Sequence, residues 1–228
     1  MNLRNKTIAI ITARGGSKRI KNKNIISFLV KPMISYSIDC AKKSKLFGEI
    51  YVSTDSKRIK KISRLHGAKV PFLRGKKLSD DITGTRDVVK SFLKNLKKEY
   101  KYVCCIYPTA PLMRKQDLVK AYKILKKNSS NYILSASLSN NSEDKIFFRK
   151  EKKFVDSGQF YWATYDTWLK RSRIINKNSL IIKIPQKFSH DLNTYEDLKI
   201  LKKKALKVFN KNINNRLSKI NIKNSVKK

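Results

Sequence analysis

Short apolar runs alternate with amphipathic stretches along most of this chain, and this alternation limits the folds that it can adopt. The apolar runs have the length of strands, and the stretches between them carry apolar residues at helical spacing. Repeated strand and helix units of this kind predict an α/β fold with a mainly parallel sheet. Strands are predicted at residues 7–13, 49–53, 68–73, 102–107, 132–138, 158–163 and 180–184. Helices are predicted after Pro32, through Ile59, Ile62 and Leu65, at 85–96, at 116–127, around Trp168 and from Thr194 onward.

The length and the breaks in this pattern set the domain organisation. The 228 residues suffice for one domain with a sizeable core and are short for two. Between 139 and 155 the alternation stops, and one short apolar run at 146–148 predicts a loop or a small hairpin. Beyond about Asn210 the Lys, Asn and Ile residues show no clear periodicity. We therefore expect a single domain over residues 1–210 and a frayed basic tail over 211–228.

The net charge of +38 raises the question of a nucleic-acid partner. It comes from 54 basic and 16 acidic residues, and 42 of the basic residues are Lys. Because base and phosphate recognition favours the forked Arg side chain, this composition argues against a dedicated nucleic-acid reader. Solvated Lys-rich faces explain most of the charge. Attraction of an anionic substrate, or some nucleic-acid affinity of the Lys-rich C-terminus, remain the alternatives.

Cysteine usage and hydropathy indicate the compartment. Cys40, Cys104 and Cys105 show no metal-ligand spacing, so buried thiols in a reducing compartment are expected. No apolar segment leads the chain, and no stretch reaches the ~18 apolar residues that a membrane span needs. We expect a soluble, cytoplasmic protein without a membrane partner.

The most informative motif is ARGGSKRIKNKN at residues 13–24, directly after the first predicted strand. Gly15 and Gly16 let the backbone approach an anion closely, and Ser17 adds a hydroxyl donor. Positive charge is supplied around the loop by Arg14, Lys18, Arg19 and Lys23. The pattern predicts a triphosphate cradle, with a basic surface turn as the alternative. Since both GxxxxGK[ST] and GxGxxG are absent, kinase-like and dinucleotide-binding functions lose their main support.

This loop resembles the amino-terminal signature of the CMP-sugar synthetase family. Further motifs follow in that family's order: KPMISYSI at 31–38, VSTD at 52–55, VPFLR at 70–74, DDITGT at 80–85 and YPTAP at 107–111. The resemblance covers most of the first 140 residues. CCIYPTAPL at 104–112 and DSGQFYWA at 156–163 are similar to the pseudaminic acid branch in particular.

The resemblance implies a fold, a reaction and a cofactor. The fold would be the three-layer, Rossmann-like fold of nucleotide-diphospho-sugar transferases. The reaction would join CTP to an acidic nine-carbon sugar, giving CMP-sugar and pyrophosphate with Mg²⁺ as cofactor. Sialic, legionaminic and 3-deoxy-octulosonic acids are alternative substrates, and a degenerate homologue that binds nucleotide without turnover is a further alternative.

The resemblance also implies roles for individual residues. Nucleotide contacts would come from Ala13, Arg14, Gly15, Gly16, Ser17, Lys18, Lys23, Asn24, Arg74, Ser79, Asp81 and Thr83. The sugar pocket would be lined by Tyr107, Thr109, Gln159, Phe160 and Tyr161, although aromatic residues in strands are usually packing residues. Catalysis would rest on Arg14, Lys18, Lys23 and Asp191. Relatives carry a longer insertion that forms their dimer contact, so the shorter segment 139–155 leaves both a homodimer and a monomer open.

The segment HDLNT at 190–194 resembles the metal motif of the family, which precedes a helix. Mg²⁺ prefers oxygen ligands and usually keeps several waters. Asp191 would supply a carboxylate, and the amide oxygen of Asn193 would orient a metal-bound water. A helix-start acid without a metal is the alternative for Asp191, and Thr194 with Asp197 predicts the N-terminal cap of that helix.

Overall fold

The structure is a computed structural model that describes residues 3–128, 132–139, 146–149, 152–170, 173–176 and 178–225. The strands are β1 (Thr7–Thr12), β2 (Ser27–Phe28), β3 (Lys31–Pro32), β4 (Glu49–Ser53), β5 (Tyr102–Ile106), β6 (Ile133–Leu138), β7 (Ile146–Arg149), β8 (Lys152–Thr164) and β9 (Leu180–Lys183). The helices are α1 (Met33–Ser44), α2 (Lys57–Leu65), α3 (Thr85–Leu96), α4 (Lys115–Lys127), α5 (Tyr165–Lys170) and α6 (Tyr195–Ser225). Short 3₁₀ turns occur at Leu3–Lys6, Lys23–Ile25, Lys76–Leu78 and Gln186–Phe188.

The central sheet has the strand order β4-β1-β5-β8-β6-β9, and β7 pairs with the first part of β8. β1 is parallel to β4 and β5, and β6 is parallel to β9. β8 is antiparallel to both of its neighbours, β5 and β6. Along the six-strand order, β8 therefore runs against the other five, which confirms the predicted α/β fold with a mainly parallel sheet.

Apolar side chains on both faces of the sheet divide the core into two layers. In β1, Ala9 and Ile11 pack with the helices α1, α2 and α4, whereas Ile8 and Ile10 pack with α3 and α5. The two tryptophans follow the same division. Trp162 packs on the α1 side against Phe47, and Trp168 packs on the α3 side, where its indole N–H donates to the Val103 carbonyl at 3.1 Å. Helices on both faces of one sheet give the predicted three-layer arrangement.

Two predicted elements are wrong, each for a local physical reason. Residues 68–73 form no strand beyond a single bridge between Lys69 and Tyr51, because Pro71 has no amide to continue a ladder. The predicted frayed segment after Asn210 is helical as far as Ser225, and no Gly or Pro interrupts the chain between Tyr195 and that residue.

The predicted loop or hairpin at 139–155 contains the hairpin formed by β7 and β8, in which Phe147 lies opposite Phe154. Residues 140–145 and 150–151 of that segment lie outside the described residues. Pro32 occupies the position just before α1 instead of its first turn.

The start of α6 is fixed by the predicted cap. The Asp197 amide donates to Thr194 Oγ1 at 3.1 Å, and Asp197 Oδ2 accepts from the Thr194 amide at 2.8 Å. The same oxygen accepts from the Asn193 amide at 2.9 Å. Leu192 and Leu201 then pack into a small apolar cluster with residues of the 20–33 segment. The cap and this cluster hold residues 190–194 beside the loop that follows β1.

Hydropathy and cysteine burial agree with the sequence where the structure describes them. No helix within the described ranges is both long and apolar enough to cross a membrane. Cys104 and Cys105 are free thiols buried in β5. Burial also raises the pKa of Cys40 and of Cys105 to about 12, which keeps both thiols protonated.

Glu49, at the start of β4, is the centre of a polar cluster on the α3 side. Its carboxylate accepts from Tyr51 at 2.7 Å, from Tyr100 at 2.5 Å and from Lys69 at 2.7 Å. Burial favours the neutral acid, but these donors and Lys98 outweigh it and lower the pKa of Glu49 to about 2. Because the pKa is lower in the folded chain than in the unfolded one, the contribution to stability is present above the ordinary pKa and is lost as the pH falls.

We expect Glu49→Gln to lower the free energy of unfolding at pH 7 by about 1–3 kcal/mol, because hydrogen bonds to a charged acceptor are lost. The difference from the parent should shrink as the pH falls from about 4.5 towards 2, where the parent also becomes neutral. Urea unfolding at several pH values measures it. Glu196→Gln, at an exposed pair with Lys199, is the control with little effect. A difference for Glu49→Gln that stayed constant with pH would contradict the assignment.

Candidate active site

A pocket of about 300 Å³ opens where β1 and β5 end. Thr12 closes β1 at its wall, and Tyr107 follows β5 directly. In parallel α/β sheets, ligands bind in the crevice outside the carboxyl ends of the strands. The predicted residues that line the pocket are Arg14, Ser17, Lys23, Asn24, Arg74, Asp81, Thr83, Tyr107 and Thr109. The predicted residues outside the lining set are Ala13, Gly15, Gly16, Lys18, Ser79, Gln159, Phe160, Tyr161, Asp191 and Asn193.

The loop at 13–24 is held in place by backbone contacts at both ends. The Gly15 amide donates to the Asp55 carboxylate at 2.7 Å, and the Asn24 side chain donates to the Arg14 carbonyl at 2.8 Å. A side chain at Gly15 would start 3.0 Å from Ser56 Cβ, whereas Gly16 has no neighbour within 4 Å of that position. Only Gly15 is therefore required by close packing. Sequence reasoning missed Asp55, although VSTD at 52–55 contains it.

The cations of this loop converge on one carboxylate. Arg14 pairs with Asp81 and also donates to the Asp80 carbonyl at 2.6 Å. Lys18 lies 2.8 Å from the other oxygen of Asp81. These two partners, Lys18 first, lower the pKa of Asp81. An anion entering the pocket would therefore compete with Asp81 for its two cations.

Lys23 reaches across the site to the segment before α6, where its ammonium donates to the Leu192 carbonyl. Burial lowers the pKa of Lys23, and the nearby charge of Asp191 opposes that shift. The predicted cradle residue and the predicted metal residue are therefore close in space, although 168 positions separate them in the sequence.

Arg74 and the loop after it form the opposite wall. The Arg74 guanidinium donates to Ser79 Oγ at 3.1 Å, and burial lowers its pKa. The Asp80 side chain accepts from the amides of Ile82 at 3.0 Å and of Thr83 at 2.6 Å, which folds the loop into a compact turn. These contacts hold Arg74 and Thr83 at the pocket.

A chain of hydroxyl groups leads from the pocket wall into the sheet. Thr85 Oγ1 and the Tyr107 hydroxyl lie 2.5 Å apart, and the Tyr107 and Tyr161 rings meet edge to face at 5.3 Å. The Tyr161 hydroxyl donates to Asp156 at 2.5 Å. Burial raises the pKa of Tyr107 to about 12 and also raises the pKa of Asp156. Thr85 and Asp156 were missed, and the DSGQFYWA motif was the available signal for Asp156.

Phe160 and Gln159 do not reach the open pocket. Phe160 is fully buried among core residues on the α1 side of the sheet. Gln159 is 3% exposed, and its side chain donates to the Phe188 carbonyl at 2.6 Å. Since successive residues of a strand point to opposite faces, Phe160 and Tyr161 cannot line one wall together. The predicted sugar pocket is therefore corrected to Tyr107 and Thr109, with Tyr161 behind Tyr107.

Asp191 is exposed and lies next to Gly158, which has a left-handed backbone (φ 57°). A Cβ at Gly158 would lie 3.3 Å from Asp191 Oδ1 and 3.8 Å from the Tyr107 ring. The charge of Asp191 also contributes to the raised pKa of Asp156. Tyr107, Asp156 and Asp191 therefore surround Gly158. Among the described residues, no group of three or more His, Cys, Asp or Glu is arranged to hold a metal ion.

We expect Gly158→Ala to lower the free energy of unfolding by about 1–2 kcal/mol, because a side chain is strained in the left-handed region. The added methyl group should also push Asp191 away from Tyr107. Denaturant unfolding measures the first effect. Gly75→Ala is the matched control, since its backbone is extended and no atom lies within 4 Å of the new methyl group. Equal losses in the two variants would contradict the expected role of Gly158.

Comparison with known proteins gives consistent results. The family model described as cytidylyltransferase matches residues 8–222. A pseudaminic acid cytidylyltransferase of Campylobacter jejuni is 37% identical over 220 residues, covering 86% of this chain and 95% of the relative. A CMP:2-keto-3-deoxy-manno-octonic acid synthetase solved with CTP has a TM-score of 0.69 at 15% identity, covering 90% of this chain and 99% of the other. A 4-diphosphocytidyl-2C-methyl-D-erythritol synthase of Anaerococcus prevotii has a TM-score of 0.61 at 15% identity, covering 89% and 96%. These structures share the fold.

Proposed function

The chain belongs to the cytidylyltransferase family, and on that premise we propose that it joins CTP to an acidic nine-carbon sugar of the pseudaminic type. The anomeric oxygen of the sugar bonds to the α-phosphorus of CTP, the bond from that phosphorus to the β-phosphate oxygen breaks, and pyrophosphate leaves. The observation that carries the proposal is the basic pocket at the carboxyl ends of β1 and β5. The 37% identity to a pseudaminic acid cytidylyltransferase supports the choice of sugar.

The loop at 13–24 is proposed to hold the triphosphate through Arg14, Ser17, Lys18 and Lys23. Three of these residues line the pocket, and Lys18 reaches it through Asp81. Charge neutralisation and positioning contribute most of the catalysis in phosphoryl and nucleotidyl transfer. The site therefore needs no nucleophilic side chain.

Asp81 is proposed to keep the cradle ordered before the nucleotide arrives. It holds Arg14 and Lys18 at positions from which both can turn to phosphate oxygens. Since each phosphate group offers more acceptor oxygens than one carboxylate, the triphosphate can replace Asp81 at both cations. On the opposite wall, Arg74 and Thr83 are proposed to meet the cytosine and ribose.

The sugar acid is proposed to lie against Tyr107 and Thr109, between the triphosphate and Asp191. Both residues line the pocket, and Tyr107 is in contact with the Gly158 position that Asp191 approaches. Tyr161 and Asp156 fix the Tyr107 side from behind. This arrangement places Asp191 on the sugar side of the α-phosphate.

The donor set around Gly158 fits Mg²⁺. Asp191 offers an exposed carboxylate, Asp156 is close enough for its pKa to respond to Asp191, and Gly158 leaves the space between them open. Mg²⁺ is commonly held by one or two carboxylates together with substrate phosphates and waters. We propose that Asp191 and the Asn193 amide oxygen serve it here. When bound, the ion would neutralise phosphate charge.

The cellular setting is proposed from the chemistry. CTP is an intracellular nucleotide, and buried free thiols such as Cys104 suit a reducing compartment, so the cytoplasm is the proposed location. A homodimer stays a prediction. No nucleic-acid partner is required, because the attraction of an anionic substrate gives the positive charge a role.

The first test is pyrophosphate release with CTP, Mg²⁺ and pseudaminic acid. We expect turnover by the parent protein and a loss of about 10- to 100-fold in kcat/KM for Lys18→Ala, because a cation facing the transferring phosphates is removed. Lys21→Ala, at an exposed position outside the pocket lining, is the matched control and should match the parent. CTP binding without turnover on any sugar would instead favour a degenerate homologue.

The second test ranks the sugar acids. We expect kcat/KM to be highest for pseudaminic acid in a panel with sialic, legionaminic and 3-deoxy-octulosonic acids, since the most similar relatives of the chain over most of its length carry that name. Each sugar is assayed at saturating CTP. A higher value for another acid would keep the reaction and change the proposed substrate.

A further inference from the structure

A second, much smaller cavity lies behind the active site, between the loop after β5, β8 and the segment before α6. Its volume of about 10 Å³ is enclosed. The residues relevant here are Thr109, Ser157, Gly158, Gln159, Phe188 and His190. Thr109 lines both this cavity and the larger pocket, so the two are neighbours.

Three polar atoms of residues that line this cavity lack a hydrogen-bond partner within the described part of the chain. They are Ser157 Oγ, Gln159 Oε1 and His190 Nε2. Ser157 is 7% exposed and Gln159 is 3% exposed, so bulk water does not solvate them. Leaving a buried polar group unpaired costs about 1–3 kcal/mol. Three such groups around one cavity require a common partner.

The chemistry of the three atoms follows from their other contacts. The Gln159 amide nitrogen donates to the Phe188 carbonyl at 2.6 Å, so the oxygen is the atom left without a donor. His190 Nε2 is 3.6 Å from the Asp197 carboxylate, which is too long for a hydrogen bond. The set therefore offers one acceptor, one hydroxyl and one imidazole nitrogen.

We propose that this cavity holds one ordered water molecule that joins Ser157, Gln159 and His190. A buried water needs about 10–15 Å³ and two to four polar partners, and the cavity supplies both. The water donates to Gln159, accepts from the Ser157 hydroxyl and uses a remaining position for His190. A sugar or a phosphate group is too large for this volume.

The water would position Asp191. Ser157 and Gln159 belong to β8, whereas His190 immediately precedes Asp191 in the chain. A water bridge from β8 to His190 therefore fixes the backbone at the point where Asp191 turns towards Gly158. Ser157 and His190 become positioning residues for the proposed reaction. This kinetic consequence rests on the proposed function, whereas the water itself does not.

A crystal structure of the full chain at a resolution that shows ordered water tests the site directly. We expect one density peak at roughly 2.7–3.2 Å from all three atoms. An empty cavity would overturn the proposal. A substituent of a bound sugar acid in the same place would also overturn it, because the cavity would then be part of the substrate site.

Ser157→Ala tests the positioning role, with Ser63→Ala as the matched control. Ser63 is also buried, and its hydroxyl also lacks a partner, but it lies in α2 away from the cavity. We expect Ser157→Ala to lower kcat about tenfold with an unchanged Kd for CTP, as substitutions behind a functional carboxylate often do. Ser63→Ala should leave both quantities unchanged.

The outcomes separate the two levels of the proposal. An unchanged kcat for Ser157→Ala, or an equal loss in Ser63→Ala, would overturn the positioning role while leaving the proposed function intact. Absence of turnover in the parent protein would defeat the proposed function. The water peak would then still decide whether the site exists.

Discussion

The reversed direction of β8 is the constraint on which the site depends. A parallel sheet brings only the carboxyl ends of its strands to the binding edge, so β1 and β5 deliver Thr12 and Tyr107 there. Because β8 runs the other way beside β5, its early residues reach the same edge, and the Tyr107 amide donates to the Gln159 carbonyl at 2.9 Å. That pairing brings Asp156 and Gly158 to the nucleotide pocket.

Acidic residues are scarce in this chain, and several of them have specific structural work. Only 16 acidic residues face 54 basic ones. Asp55 fixes the turn at Gly15, Asp81 joins two cations, and Asp197 caps α6. Most of the lysines have no comparable partner among the contacts described here. The high net charge is therefore compatible with a well-defined site, because the few carboxylates are placed where the loops need them.

The sequence was sufficient wherever local chemistry decides the outcome. It located α3 at residues 85–96, the cap at Thr194 and the basic loop after β1, since spacing and turn residues determine these features. It was insufficient where distant segments meet. Alternation along β8 places Phe160 and Tyr161 on opposite faces, but the sequence does not say which face meets the pocket. Contacts between Lys23 and Leu192 likewise depend on the folded chain.

The placement of the two tryptophans gives this protein an internal optical report on its layers. The chain has only two, and each is fully buried on a different side of the sheet. Indole emission responds to the polarity around the ring, so water reaching either layer would change the fluorescence. With Trp162→Phe or Trp168→Phe, the remaining indole would follow one layer at a time. Folding of the two faces could thus be timed separately without an attached dye.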